Sequence, residues 1–426
     1  MITLTSTELN YLIFRYLVDE GYAHSAYVFG RESLIEDNPN TPEVEHNALK
    51  QYVSKGIEME YIARHSENGR LKRCTAKYSI SHYHKCTDQS LEIYPTYLET
   101  HNSDVSLCAW SEEGELVTGS QNCMLRLWSP PSIKGEWQLG QNESSTHGIT
   151  GLAIESSSRL IDERPGTVVV GATHNGDLFV GKHGRDWRIL QAHKGPIVAL
   201  SLREASVVSG GWDGLCKEWI FNGDKLVEND RWVLHKGPVM DILSFPTGFV
   251  TCSVDTTLCT VDKEGAPVKM IGHTGEVNSI KRIGTSIVSC SDDGTLKIWK
   301  YGVAMPVETL TGHSKEVYSV ATSYPHIASG SFDADVRIWE CERGSLTAVL
   351  QGHTKAIYTV AFSPDGSLLA SGGLDSTVRI WDTRSNGLAK EFLVGSGIYQ
   401  VEFSPHNTTL AVCSSDPRPI VLDLRR

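Results

Sequence analysis

Nowhere among its 426 residues does the chain hold 18 apolar residues in a row, so no transmembrane helix is expected. Residues 1–10 lack the basic start and apolar stretch of a secretory signal, so secretion is not expected either. The 10 cysteines are dispersed from Cys74 to Cys413. Without secretion they are expected to be buried or free thiols in a reducing compartment. Basic residues are in deficit. There are 39 Lys and Arg against 51 Asp and Glu, a net charge of −12. That balance argues against direct nucleic-acid binding, because phosphate neutralisation needs a basic face, and leaves room for a basic protein partner. No phosphate loop, Gly-x-Ser-x-Gly elbow or lone nucleophile is found. Cys74, His82, His84 and Cys86 lie near one another, but at no standard zinc-finger spacing. Neither a metal nor a cofactor is expected, and the chain is not expected to be an enzyme.

Glycine, by contrast, is plentiful at 38 residues, as suits a chain of many tight turns. Behind it lies a repeat. A histidine recurs at His101, His147, His193, His235, His273, His313 and His353, at intervals of 46, 46, 42, 38, 40 and 40. An Asp or Asn follows each one: Asn122, Asn175, Asp213, Asp255, Asp293, Asp333 and Asp375. Asp416 makes an eighth without a histidine. Six residues further stands Trp or a substitute: Trp128, Gly181, Trp219, Val261, Trp299, Trp339, Trp381 and Leu422. From the third to the seventh unit a Ser or Thr sits four residues before the Asp: Ser209, Thr251, Ser289, Ser329 and Ser371.

Four units hold a full quartet. These are His193, Ser209, Asp213 and Trp219; His273, Ser289, Asp293 and Trp299; His313, Ser329, Asp333 and Trp339; and His353, Ser371, Asp375 and Trp381. The expected chemistry is a structural hydrogen-bond chain. The Asp, in a tight turn, accepts from the imidazole, the hydroxyl bridges to the ring, and the indole N–H closes the series. Ser, His and Asp together also suggest a hydrolase triad. A nucleophile is needed once, however, and this set recurs in register with a Trp.

The pattern matches the WD-repeat signature, a four-stranded blade of about 40–45 residues. Eight units predict a mainly β fold, an eight-bladed WD40 β-propeller over residues 91–426. Its last blade is closed by an N-terminal strand at 91–98. Closure of that kind leaves no bare sheet edge. Seven blades stay open as an alternative if the second or eighth unit merges with a neighbour. The second unit carries an insertion and lacks Trp, the fourth has Val261 for Trp, and the eighth has Gly395-Ser396-Gly397 in place of His. Those blades are expected to be less rigid or held by other contacts.

Residues 1–35 follow a helical period. Thr5 and Glu8 fit a capping box. Leu9, Leu12, Ile13, Tyr16 and Leu17 fall on one stripe, Gly21 ends it, and Tyr22, Ala26 and Phe29 mark a second helix. So small a pair cannot bury its stripe alone, so oligomerisation, as a dimer or tetramer, is the preferred reading over docking on the propeller. A short helix and a polar linker occupy 36–90. The stretch from Leu9 to Glu32 closely resembles a LisH motif.

With that N-terminal segment ahead of the repeats, the whole layout resembles the transducin beta-like family. The stretch 8–33 and the third unit, "HKGPIVALSL…SGGWDG", carry the likeness. The resemblance implies a nuclear scaffold in a transcriptional corepressor complex. It would self-associate and dock a corepressor protein together with a class I histone deacetylase, and its propeller would meet histone tails or regulators. A LisH–WD40 adaptor of a ubiquitin ligase or a cytoskeletal motor is the alternative. The linker here is short and a second long helical region is missing, which weakens any F-box-like activity.

A propeller binds partners on its top face, and two positions per unit are expected there. From them come Trp212, Met240, Asp292, Tyr318, Phe332, Tyr358, Leu374 and Tyr399, with Glu276 and Glu316 beside them. Aromatics with a polar handle suit a peptide hot spot, and the acids suit Lys or Arg of the ligand.

Overall fold

The computed structural model describes residues 91–139, 148–155, 167–182, 185–189, 191–203, 206–222, 225–262, 266–406 and 409–425, with residues 13, 66–67 and 70–71 besides. The chain divides into two units, Met1–Gln89 and Ser90–Arg426. In the first, Ile13 is helical and half-buried, and Ser66–Glu67 pairs antiparallel with Arg70–Leu71. The other stripe positions, Leu9, Leu12, Tyr16, Leu17, Tyr22, Ala26 and Phe29, lie outside the described residues, as do Cys74, His82, His84 and Cys86.

The second unit is an eight-bladed β-propeller built of four-stranded antiparallel sheets, one for each sequence unit. Within each blade the second strand reads as a short apolar or small-residue run, such as Val168–Thr173 or Leu368–Gly373, buried throughout. Such runs are what a strand covered on both faces requires. Outer strands such as Ser345–Leu350 are largely exposed. The eighth blade is composite. Glu92–Tyr97 pairs with Ile420–Arg425, from Glu92 opposite Arg425 to Tyr97 opposite Ile420. Pro95 has no N–H to give a ladder, and here it sits on an outer strand with one free edge.

The core lies between blades. Each Trp at the repeat position packs into the preceding blade: Trp299 among Val250, Leu258 and Met270 of blade four, and Trp339 among Val288 and Leu296 of blade five. Trp128 packs with Ala411, Cys413 and Val421 of blade eight, which carries the core round the closure. Where the Trp is missing, other rings fill the space. Val261 lies opposite Phe249, which meets Trp232 at 5.2 Å between centroids. Beside Gly181 lie Phe179 and Trp137, 5.9 Å apart. Seven of the described cysteines are buried and Cys341 is partly so, none of these eight in a disulfide.

The innermost strands form the wall of the ring, so each is a sheet edge whose outward N–H groups need partners. Side chains of the preceding blade supply them. The Asp241 carboxylate accepts from the Ile280 N–H, Ser319 Oγ from Val360, Thr359 Oγ1 from Val401, and Gln400 Oε1 from Cys108, all at 3.0–3.2 Å. These bonds tie blade to blade.

Candidate functional site

The four quartets are closed chains. His Nδ1 lies 2.7–3.0 Å from the Asp carboxylate, His Nε2 2.7–2.8 Å from the Ser Oγ, and the Trp Nε1 2.8–2.9 Å from the same Oγ. An indole N–H can only donate. The Ser oxygen therefore accepts from Trp and gives its own proton to Nε2, and Nδ1–H donates to Asp. The imidazole is neutral in this arrangement. Burial holds His273 below the usual histidine range, and the Asp293 bond and charge only partly offset that. Burial alone would raise the Asp293 carboxyl, but the bonds from His273, Thr295 and Thr274 outweigh it and hold the group well below the carboxylate range.

Ser209, Ser289, Ser329 and Ser371 are each 0% exposed, and each hydroxyl has its proton committed. This arrangement ties the turn at the top of a blade to the loop entering it. The Asp carboxylate also accepts the N–H of the residue after the His: Thr274 donates to the Asp293 oxygen that accepts from His273. Blade four keeps His235, Thr251 and Asp255 at 2.8 and 3.1 Å without a Trp. Blade one holds a partial set not anticipated from spacing. His101 Nε2 lies 2.9 Å from Thr118, which accepts from Trp128 at 2.8 Å. Asn122 bonds Ser120 instead, so among the described residues His101 Nδ1 has no partner, and burial with the Arg126 charge pushes its pKa down to about 3.

On the face expected to bind, one backbone device recurs. Every innermost strand has a β-bulge at its second residue. A bulge takes one residue out of the ladder and re-aims its side chain. The bulged residues include Met240, Asn278, Tyr318, Tyr358 and Tyr399. Three rings expected on this face meet. Tyr318 stacks on Phe332 at 5.8 Å, and Tyr358 stands edge-on to Tyr318 at 5.1 Å and tilted to Phe332 at 5.3 Å. These spacings put the rings in mutual contact, so they form an apolar platform joining blades six and seven, not an open cage.

Asp292, Glu276 and Glu316 are exposed. Asn278 fixes Asp292 at 2.7 Å and reaches the Val317 carbonyl of blade six at 3.0 Å. Trp212, half exposed, meets His174 of blade two rather than the trio. Met240 is partly buried against the blade four–five core. Tyr399 is partly buried, and burial beside Asp104 and Tyr358 raises its phenol. Leu374 lines a cleft of about 730 Å³ between blades six and seven, with Phe332, Asp333, Ala334 and Glu316. Lys315, Thr354, Lys355 and Ala356 complete it and were not anticipated. Their signal was present in the entry loops that align across units.

The WD domain, G-beta repeat model matches residues 93–129, 265–300, 304–340 and 344–382, and the LisH model matches 7–33. Among curated proteins, WD40 repeat-containing protein HOS15 of Arabidopsis thaliana is 30% identical over 216 residues, 47% of this chain and 35% of that protein. F-box-like/WD repeat-containing protein TBL1Y of Homo sapiens is 29% identical over 377 residues, covering 66% of this chain and 70% of the relative. The mouse protein TBL1X gives the same identity and the same two shares. In fold, the chain is similar to the computationally designed Ika8 protein, with a TM-score of 0.66, 23% identity, and coverage of 77% of this chain and 98% of the other. It is likewise similar to the C-terminal WD40 domain of Sif2, with a TM-score of 0.65, 21% identity, and coverage of 78% and 99%.

Proposed function

The chain is a LisH and WD40-repeat protein homologous to TBL1X and TBL1Y, and from that premise we propose that it is a non-enzymatic scaffold subunit of a nuclear transcriptional corepressor complex. In this reading the LisH stripe joins copies of the chain. The propeller top face takes peptide segments of partners, histone tails among them, and a histone deacetylase is part of the assembly. The observation that carries the reading is the platform of Tyr318, Phe332 and Tyr358, bordered by Glu276, Asp292 and Glu316. A desolvatable aromatic centre with a charged rim is the anatomy of a protein-binding hot spot. The absence of a role in catalysis is supported by the buried, fully committed quartet serines.

The test is affinity purification of the tagged full chain followed by mass spectrometry, beside the Tyr318→Ala/Tyr358→Ala variant. A deacetylase and a corepressor are expected with the native chain. The double variant should lose partners that bind the propeller while its thermal midpoint stays nearly the same. Recovery of cullins or dynein components without a deacetylase would refute the corepressor assignment, and unchanged recovery by the folded double variant would refute the top-face site.

A further inference from the structure

The cleft beside the aromatic platform carries two cations that the repeat does not require. Two residues ahead of the innermost strand, blades three, four and five have Gly195, Gly237 and Gly275. Blades six and seven have Lys315 and Lys355 there. At Gly275 an added Cβ would come within 2.6 Å of the Asp293 backbone nitrogen, so glycine answers to close packing of loop on turn. The lysines break the pattern on the two blades that share the cleft. Both are exposed and both line it, and among the described residues neither ammonium forms an ion pair. An architectural role would engage these charges. Quartets on the same blades show what such engagement looks like, with every polar atom of the His and Asp partnered.

Four of the residues that line the cleft with the lysines are apolar: Phe332, Ala334, Ala356 and Leu374. Leu374 is 39% exposed, a large apolar side chain left to solvent at the mouth of a concave site. Direction is built in as well. Each entry loop runs from the outer strand toward the innermost one, as 351–356 leads from Ser345–Leu350 to Ile357–Phe362. Along it Lys315 precedes Glu316, and Tyr318 follows in the strand. The lysines thus stand one residue farther from the innermost strand than Glu316; Glu276 holds the position of Glu316 in blade five, where its carbonyl accepts the Asp292 N–H.

We propose that the cleft between blades six and seven binds a peptide through one apolar side chain, with an adjacent carboxylate or phosphate held by Lys315 and Lys355. The peptide's basic residues would point the other way, to Glu316, Asp292 and Glu276. The ligand is thus bipolar, acid toward the lysines and base toward the carboxylates, and Glu316 disfavours the reversed orientation. This proposal rests on the top-face reading above and adds the ligand's charge order to it.

An array of synthetic nonapeptides tests it. Each has a central Leu, Arg on one side, and Asp, phosphoserine, Asn or Arg on the other, and each is probed with the full chain. Hits are then titrated by fluorescence anisotropy. The acidic peptides should bind about tenfold more tightly than the Asn peptides, an effect expected to shrink with added salt. The Lys315→Glu/Lys355→Glu variant, with an unchanged thermal midpoint, should lose that preference and favour Arg in its place. Phosphoserine above Asp would mark a phosphorylated partner, and equal binding would mean that a carboxylate suffices; either supports the clamp. Equal binding of acidic and Asn peptides, or acidic binding untouched by the charge reversal, overturns the proposal. If peptides bind regardless of the lysines but are lost in Tyr318→Ala/Tyr358→Ala, the top-face site stands and only the clamp falls. Binding of no peptide overturns both.

Discussion

Six buried imidazoles, His101, His193, His235, His273, His313 and His353, are neutral because burial disfavours the charged ring, and each sits below its ordinary range. In the unfolded chain they titrate near 6.5. As pH falls below that value the unfolded state takes up protons that the folded state does not, so stability drops. For His101, held at about 3, the loss by pH 5 is about 2 kcal/mol. The partner carboxylates push the same way only in stronger acid, since depressed pKa values lose their contribution below the ordinary carboxylate range. Glu402 opposes the trend. Burial raises it to about 7, so acidification from neutral relieves a penalty. One group stands against six, and the thermal midpoint is expected to fall between pH 7 and pH 5. In Glu402→Gln it should fall further over the same interval. A midpoint flat or rising toward pH 5 in both proteins would contradict neutral, buried histidines. The histidines were legible because a spacing of 20 or 22 residues to the Asp is visible in one dimension. Thr118 is less plain, because Asn122 in place of Asp breaks the quartet to which it would belong.

At the scale of the blade, the sequence showed where the pattern breaks and not what repairs it. Val261 and Gly181 read as losses, yet the missing indole volume is made up by Phe249 with Trp232 and by Phe179 with Trp137. Phe249 comes from a facing strand and Trp232 and Trp137 from a neighbouring blade, and no periodicity connects these three to the gap; only Phe179 shares its strand, two residues from Gly181. Restoring the repeat at one position should therefore harm the fold. Val261→Trp places an indole opposite Phe249 in a filled space and is expected to cost about 1–3 kcal/mol by overpacking. Thr251 stands ready to accept the indole N–H, as Ser289 does in blade five. Adding Phe249→Ile, the size found at Ile287 and Ile327 in the same register, should recover most of the loss. Urea unfolding of the native, single and double variants checks this, and a stabilising single substitution would show that blade four is merely underpacked. The bulges were likewise illegible. Residues such as Tyr318 and Tyr358 fit an ordinary strand pattern, and only the register of the ladder reveals them as displaced.

For the whole molecule, the count of eight was legible because the eighth Asp has a strand's worth of chain after it and no fourth strand of its own. The ring then has one seam, where Glu92–Tyr97 lies on Ile420–Arg425. The seam differs from the other blades because its outer strand arrives from the opposite end of the chain. Its cohesion includes the Leu98 and His101 N–H bonds to the Pro419 and Pro417 carbonyls and the Arg418 guanidinium over the Tyr97 ring at 5.5 Å. Removing residues 1–89 takes away one compact unit and leaves this seam intact. Removing nine more also strips Ile420–Arg425 of its ladder partner and uncovers Leu422 and Leu424, now buried in the blade eight core. An unpaired apolar strand edge is a template for association with another chain. The shorter truncation is therefore expected to unfold cooperatively with a midpoint near that of the full chain and to elute as a single species. The longer one should melt several degrees lower and form high-mass aggregates in light scattering. Equal behaviour of the two would mean that the ring is held by its inter-blade cores alone, Trp128 against Ala411 and Val421 above all, and that the N-terminal strand adds cover without closure.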